Sequence, residues 1–521
     1  MTYPSGYYYF INHDNKGRVV SLSQTQGQNN GSDYLNNVSY SIAGQVTGLG
    51  LGNGVTESYS YSADRLQLVS QTATKGATSL MNLTYNYSAS AGQNGVGSTA
   101  GNSGQLMSIS GSINSTTESA AYTYDNLGRL VTSNQTTNSV SAQRRFVYDR
   151  WGNRTSVYDA TSGGNQIQAI SLTQSGGVPN NRITSVTNNG GSPANYAYDA
   201  NGNVTNDGVH SYAYDAENRV VSVDSGTTAT YAYDHQNRRV KKTVGSSVTH
   251  CVWQGGQVLA EHNGSSGALL INYTYGVGRL LNKTESGTTR YFLSDKLSAR
   301  VVLDTSGNVV GRQSHLPFGE DLNTSGSTDK HKLTSYERDS ETGNDYAVNR
   351  GYVSNIGRFN QADPYRASSG ADNPKSWNRY AYVQNNPVGL IDPSGLLMEE
   401  PESRLRYWDC WITTGLTQDY VAGEFTGYWS PGITSIGCNP PTNLADSRSS
   451  GVEEKKEYCQ ITIKFKVVTT SSSSSGAIEY GRVFYHAYVL TQTVDENGMP
   501  LQTHPNFYRG GHQVKIQWIP I

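Results

Sequence analysis

Between Tyr122 and Asn237 the chain repeats one short pattern: Tyr-Asp, two residues, then Gly or Asn. The copies are Tyr124-Asp125…Gly128, Tyr148-Asp149…Gly152, Tyr198-Asp199…Gly202, Tyr214-Asp215…Asn218 and Tyr233-Asp234…Asn237. The pattern has a local physical meaning. A strand ends on Tyr, and Asp opens a turn in which its carboxylate bonds nearby backbone N–H groups. Gly or Asn follows three residues later, where the chain needs a positive φ. The next strand then begins, often on Arg followed by Leu or Val, as at Arg129-Leu130 and Arg219-Val220. A series of such units predicts stacked β-hairpins and little helix.

The tyrosines also come in pairs two apart: Tyr122/Tyr124, Tyr196/Tyr198, Tyr212/Tyr214 and Tyr231/Tyr233. Period two places both rings of a pair on one sheet face, and successive hairpins are expected to stack them into a ladder. Weaker copies appear around Tyr59 and Tyr61, and from Tyr273 to Leu280. The interval between copies varies, 24 positions from Asp125 to Asp149 but 16 from Asp199 to Asp215. That variation disfavours a solenoid of fixed coil length and favours long hairpins in one continuous sheet. With 37 Tyr and 56 Gly, the composition is itself β-rich with turn residues.

A second stretch, Gly357 to Leu396, is bracketed by Asp363-Pro364 and Asp392-Pro393. Asp392-Pro393-Ser394-Gly395 fits a type I turn, with Pro fixing φ and Gly closing. Asp345 to Tyr352 alternates as a strand, with Tyr346, Val348, Arg350 and Tyr352 on one face, and Arg379 to Val383 reads as a half-buried strand. Tyr291 to Asp295 and Val301 to Val309 read as a hairpin, and Ser354 to Arg358 as the repeat turn without its Asp. Gly357-Arg358-Phe359, Ala362-Asp363-Pro364, Asn385-Asn386-Pro387-Val388 and Asp392-Pro393-Ser394-Gly395-Leu396 occur in order. Together they resemble the repeat-associated core of the Rhs/YD-repeat proteins of polymorphic-toxin type.

The resemblance carries expectations of its own. The fold is all-β, with the repeats winding as a long spiralling sheet into a partial hollow shell. Many members cut their own chain after the leucine of Asp-Pro-x-Gly-Leu with an aspartic-protease-like pair. Carried over, the pair is Asp363 and Asp392, and the cut falls between Leu396 and Leu397. The function implied is a carrier whose shell encloses a variable C-terminal effector and releases it by single-turnover self-cleavage. A cognate immunity protein and a secretion machinery are the partners implied, and the location implied is secreted or cell-surface. The alternative is an uncleaved surface adhesin whose Tyr-rich sheets bind carbohydrate without catalysis.

The chain is expected to divide into a repeat sheet over 1–340, the core over 341–396, and a separate α+β or β-rich domain over 397–521. Met398 to Glu402 reads as a linker and Ser471 to Ser475 as a loop. Tyr458 to Val468 and Arg482 to Thr491 are strands flanking that loop, the second apolar on both faces and so central. His486, the polar residue of that strand, and Cys459 are the tail's candidates for catalysis. A hairpin there sets His486 opposite about Lys464 and away from Cys459. A hydrogen-bonded structural histidine is the simpler reading.

Cys251, Cys410, Cys438 and Cys459 lack C-x-x-C spacing, so no zinc site is suggested and no metal or cofactor motif is legible. Spacing leaves both a tail disulfide and free buried thiols open. Charged residues make up 15% and the net charge is −2, without the basic excess that nucleic-acid binding would bring. No run approaches the roughly 20 apolar residues of a membrane span. Met1 to Phe10 has no signal-peptide character, and the degenerate repeat from Tyr9 to Val20 suggests a piece of a longer protein.

Overall fold

The computed structural model describes residues 8–25, 32–89, 101–161, 163–175, 178–365, 368, 373–399 and 401. In the tail it describes the backbone of the strands Cys410–Val421, Glu424–Cys438, Tyr458–Val468 and Phe484–Val494. Two compact units are distinguished, Met1–Thr442 and Asn443–Ile521, and each is taken by itself.

Among the described residues the chain forms strands and short 3₁₀ turns, with no α-helix. Strands pair antiparallel with their neighbours in a 15-stranded sheet from Tyr8 to Asn195, a two-stranded sheet over Ala197–Asn206, and a 12-stranded sheet from Tyr212 to Gly326, with Ser88–Ala89 and Gly101–Asn102 forming a separate pair. The expected hairpin strip is present, but it is divided. Ladder pairing stops at Asn195 and again after Asn206, where one isolated bridge to Ser211 remains.

The turns explain the repeat. At Asp125, Oδ1 accepts the N–H groups of Leu127 and Arg129 at 3.0 Å each, and Oδ2 accepts Arg129 Nε at 2.6 Å. The peptide N–H of Gly128 donates to the Asp125 carbonyl, with φ at 74°. Asp215 with Arg219 and Asp234 with Arg238 repeat this pattern, and Asp149 with Asn153 and Asp199 with Asn203 use an amide in place of the guanidinium. Asp14 with Arg18 and Asp304 with Asn308 add two further copies, one within the degenerate repeat and one in the Val301 to Val309 hairpin. The residue four after Asp is thus part of the turn, because it occupies the carboxylate oxygen that the backbone leaves free.

The paired tyrosines do share a face. Tyr122 and Tyr124 are both buried, and Tyr196, Tyr198, Tyr212, Tyr214, Tyr231 and Tyr233 pack in one cluster. The ladder is not Tyr on Tyr, however. The arginine of one turn lies over the tyrosine of the next: Arg18 over Tyr40 at 4.6 Å, Arg129 over Tyr148 at 5.0 Å and Arg219 over Tyr233 at 5.1 Å. Each of these tyrosines donates its hydroxyl to the carbonyl just after that arginine, Val19, Leu130 or Val220, at 2.7–2.8 Å. Cation–π stacking and a part-buried hydrogen bond therefore join consecutive repeats where the turn carries arginine.

The two large sheets share a core. Leu35, Leu83 and Tyr122 of the first pack in one cluster with Leu281, Leu293 and Val301 of the second. Buried charges cross the same interface: Arg279 pairs with Glu57, and Arg300 and Arg312 reach Glu118 at 2.8 Å.

After the second sheet comes a four-stranded sheet, Glu337–Arg338, Asp345–Tyr346, Gly351–Val353 and Arg358–Phe359. Asp345 to Tyr352 is therefore a hairpin and not one strand. Its reversal is tight, with Ala347 N–H donating to the Arg350 carbonyl at 3.0 Å and Val348 at φ 59°. Arg379 to Val383 is also not a strand. It contributes a single bridge, Ala381 to Arg358, before a 3₁₀ turn over Val383–Asn385. The core spreads across the Tyr-Asp turns. Lys375 donates to the Leu127 carbonyl, Asn385 to Gly152, Tyr380 to Gly202, and Tyr346 to Asn237.

In the tail, Cys410–Val421 pairs with Glu424–Cys438, setting Cys410 opposite Cys438. In the second unit Tyr458–Val468 pairs with Phe484–Val494. The segment from Ser471 to Ser475 lies outside the described residues.

Candidate functional site

Three segments far apart in sequence meet at one buried guanidinium. Arg350 leaves the tight turn at Ala347–Arg350, and its Nη2 stands 3.3 Å from Asp363 Oδ2 and 3.0 Å from Asp392 Oδ2. Asp363, Asp392 and Arg350 are exposed by only 7%, 3% and 4%. The two aspartates named from the sequence are brought together, with a cation between them that alternation over Asp345 to Tyr352 marks only as a strand residue.

Arg350 is held on every side. Its Nε donates to the Gly395 carbonyl, its Nη1 donates to the Arg379 carbonyl at 3.0 Å, and its carbon lies 3.6 Å from the centroid of the Phe359 ring. Arg379 in turn donates to the Asp363 carbonyl at 2.7 Å and accepts the Asp363 N–H at 3.0 Å. Asp363 Oδ1 takes the Tyr365 N–H at 2.8 Å. The floor is aromatic, with Tyr336, Tyr352, Phe359 and Tyr382 in mutual ring contact. Tyr336 donates its hydroxyl to the Asp392 carbonyl. Burial raises the Tyr336 phenol well above its ordinary range, so it stays a donor.

The turn at Asp392 carries the expected scissile bond. Asp392 Oδ1 accepts the N–H of Leu396 at 2.9 Å and of Leu397 at 3.1 Å. The second of these nitrogens belongs to the Leu396–Leu397 peptide bond itself. Gly395 sits at φ 73°, and a Cβ there would lie 2.6 Å from the Ala347 carbonyl, so both conformation and space require glycine. Ile391 and Glu399 exchange backbone hydrogen bonds at 2.8 and 2.7 Å, closing the base of the loop. The start of the expected linker is thus tied down at Glu399, while Leu397 at its tip is 52% exposed.

Electrostatics distinguish Asp392. Burial pushes its carboxyl above the ordinary range, and the charge of Asp363 adds to that; Arg350 and the Leu396 N–H oppose it without prevailing. A proton on Asp392 therefore persists to higher pH than on an exposed aspartate.

The tail candidates do not meet in this way. His486 stands opposite Lys466, two positions from the expected Lys464, and Cys459 stands opposite Thr493. Their side chains lie outside the described residues. Among the described residues no group of His, Cys, Asp or Glu is arranged to hold a metal ion, and no helix is long and apolar enough to cross a membrane.

Arg350, Tyr336 and Asn349 were missed by the sequence reading. One signal pointed to a partner for Asp392. In the repeats the residue four after Asp is Arg or Asn and fills Oδ2, whereas four after Asp392 stands Leu396, so the partner has to come from elsewhere.

The comparisons agree with this architecture. A tRNA3(Ser)-specific nuclease WapA of Bacillus spizizenii is 30% identical over 212 residues, 38% of this chain and 9% of that protein. A tRNA nuclease WapA of Bacillus subtilis strain 168 is 29% identical over 211 residues, again 9% of its length. Among solved structures, a Tc holotoxin pore of Photorhabdus luminescens superposes with a TM-score of 0.61 at 20% identity, over 76% of this chain and 20% of that one. The chain thus spans under a tenth of the curated relatives and about a fifth of that solved chain. The Teneurin YD-shell family profile matches residues 98–388, more than half of the chain, and the chain belongs to that family of Rhs-type YD-repeat proteins.

Proposed function

We propose that this chain is a shell-type toxin carrier that cuts its own backbone between Leu396 and Leu397, freeing the segment from Leu397 to Ile521 as a C-terminal effector. The observation that carries the reading is the position of Asp392: one carboxylate accepts the N–H of the bond to be cut while sharing Arg350 with a second carboxylate. The curated relatives carry nuclease names and the structural neighbour is a toxin, which supports a carrier role. The tail's own activity is not assigned, and a cognate immunity protein and export from the cell belong to the same proposal.

The chemistry is a hydrolysis. Asp363 as carboxylate takes one proton from water, and the oxygen adds to the Leu396 carbonyl carbon. As that carbon becomes tetrahedral, the Leu397 nitrogen gains a basic lone pair. Asp392 in its acid form gives that nitrogen a proton, and the C–N bond breaks to a Leu396 carboxylic acid and a Leu397 amine. The new carboxyl group returns its proton to Asp392, and Asp363 passes its proton to the amine. Arg350 fits the requirement of one neutral and one ionised acid. A single cation facing two buried carboxylates balances one charge, and the other acid stays uncharged by holding its proton.

The test is the intact mass of the purified full-length chain. The expected result is two species, one a fragment of about 14 kDa for a domain of this size, with Leu397 at its new N-terminus. Asp363→Asn and Asp392→Asn should each stay whole. A single uncut parent would sink the reading and leave the adhesin alternative.

A further inference from the structure

Self-cleavage requires the loop from Asp392 to Leu397 to be held still, and one of its anchors, Asn349, is itself held by a repeat turn. Asn349 grips the loop twice, its backbone N–H at 3.3 Å and its Nδ2 at 3.0 Å both donating to the Ser394 carbonyl. Asn349 Oδ1 accepts Asn237 Nδ2 at 3.1 Å. Asn237 is the positive-φ residue of the Asp234 turn. Its Oδ1 accepts Arg219 Nη1 at 3.2 Å, and Arg219 is paired with Asp215 of the preceding turn.

The direction of this chain of contacts is dictated from both ends. A backbone carbonyl can only accept, so Asn349 must present its amide nitrogen to Ser394 and its oxygen to Asn237. A guanidinium can only donate, so Asn237 must present its oxygen to Arg219 and its nitrogen to Asn349. The two requirements are compatible, and each amide has one orientation. The turn itself does not need an asparagine. Gly128, Gly152 and Gly202 fill the same position elsewhere, also at positive φ, and glycine adopts that conformation with less strain. The Asn237 side chain is therefore explained by what it touches.

We infer that Asn349, oriented by Asn237, is a positioning residue for cleavage, so that completion of the Asp215 and Asp234 turns licenses the cut at Leu396–Leu397. The inference rests on the self-cleavage reading. It assigns the repeats a regulatory role in which a chain with those turns unformed leaves its scissile loop unanchored and uncut. A loop displaced by about 1 Å can lose roughly a hundredfold in rate.

The test uses the full chain with Asn237→Gly, which keeps the turn and deletes the amide. The control is Asn218→Gly in the preceding turn, where Asn218 Oδ1 accepts from Asn201 and Asn203. Cleavage is followed by intact mass after refolding, and thermal unfolding is measured beside it. The expected result is that N237G cuts at least about tenfold more slowly than the parent, while N218G cuts at the parental rate. In an Asp363→Asn background, which keeps the chain whole, N237G should also speed hydrogen exchange at the Leu396 and Leu397 amides. Should N237G unfold more easily than N218G, the double variant with Asn349→Ala decides. Two residues acting as one unit predict that N237G adds no further slowing to N349A, and additive slowing overturns the inference. If the parent cuts and N237G cuts as fast, the inference alone fails. A parent that never cuts removes the self-cleavage reading and this inference together.

Discussion

The Asp215 turn and the Asp392 turn are built alike and behave differently. In each, an aspartate opens the turn, a positive-φ residue stands three positions on, and the N–H four positions on donates to Oδ1. In each, a guanidinium meets Oδ2. At Asp215 the guanidinium is local, Arg219, which holds that carboxylate within its own turn and also reaches the exposed Glu217 at 2.7 Å. Burial pushes Asp215 upward, but Arg219 and the backbone donors outweigh it and hold the carboxyl below its ordinary range. At Asp392 the local position is Leu396, the guanidinium comes from Arg350, and it is divided between two acids. Burial then prevails and the carboxyl rises. A structural turn thus becomes a candidate reactive one through two changes: deeper burial, and one cation shared by two acids that are both buried.

The largest effect should come from removing that shared cation. Arg350→Met leaves the ionised member of the buried acid pair uncompensated, which should cost about 3–5 kcal/mol of stability and abolish the cut. Denaturant unfolding and intact mass check it, and a variant that unfolds normally would show that the pair needs no cation. Next, Leu396→Arg rebuilds the repeat pattern by supplying a local partner. It should slow cleavage at least about tenfold, since a shift of the loop by a fraction of an ångström is enough, with little change in unfolding. Unchanged cleavage in L396R would mean that the two turns differ by more than their cation.

Smaller effects sharpen the repeat side. Asp215→Ala removes the turn's acceptor and should cost about 1–2 kcal/mol, read by urea unfolding. Tyr148→Phe strands the Leu130 carbonyl and should cost about 1 kcal/mol. Acid titration separates the two regions. Asp215 and Asp234 have lowered values when folded, so their stabilisation is present above the ordinary aspartate value near about 4 and is lost as pH falls through the depressed values. Asp392 is raised, so its proton is retained below the raised value and lost above it. Cleavage per folded molecule should therefore increase as pH drops through the raised value of Asp392, while the stabilisation from Asp215 and Asp234 begins to fall only as pH drops below the ordinary aspartate value near about 4.

What could be read from sequence depended on how local the cause was. The Tyr-Asp turns were legible because Asp, the positive-φ residue and the next strand lie within five positions. The shared face of Tyr212 and Tyr214 was legible because period two is intrinsic to a strand. The arginines between the rings were not, since which side chain meets Tyr148 depends on the register of the previous hairpin. The Asp345 to Tyr352 reversal was hidden because it places Val348, a β-branched residue, at positive φ, which sequence preferences disfavour. Asp363 and Asp392 stood out through their Asp-Pro setting and the family resemblance. Arg350 did not, because its partners are assembled only when segments 350, 363 and 392 fold together.

The ion pair between Glu57 and Arg279 also bears on how the chain is made. Strand pairing here is almost wholly between sequence neighbours, so most contacts are local and can form quickly. Glu57 is one of the exceptions, with Glu118: it is fully buried, and its cation lies 222 positions later. At about 5–20 residues per second of synthesis, Glu57 waits on the order of 10–45 s for its partner. Until then its carboxylate must remain hydrated, so the first sheet cannot close over its polar face. The early hairpins can zip up one by one on the ribosome, but the interior that joins the two sheets can form only after Arg279 has emerged.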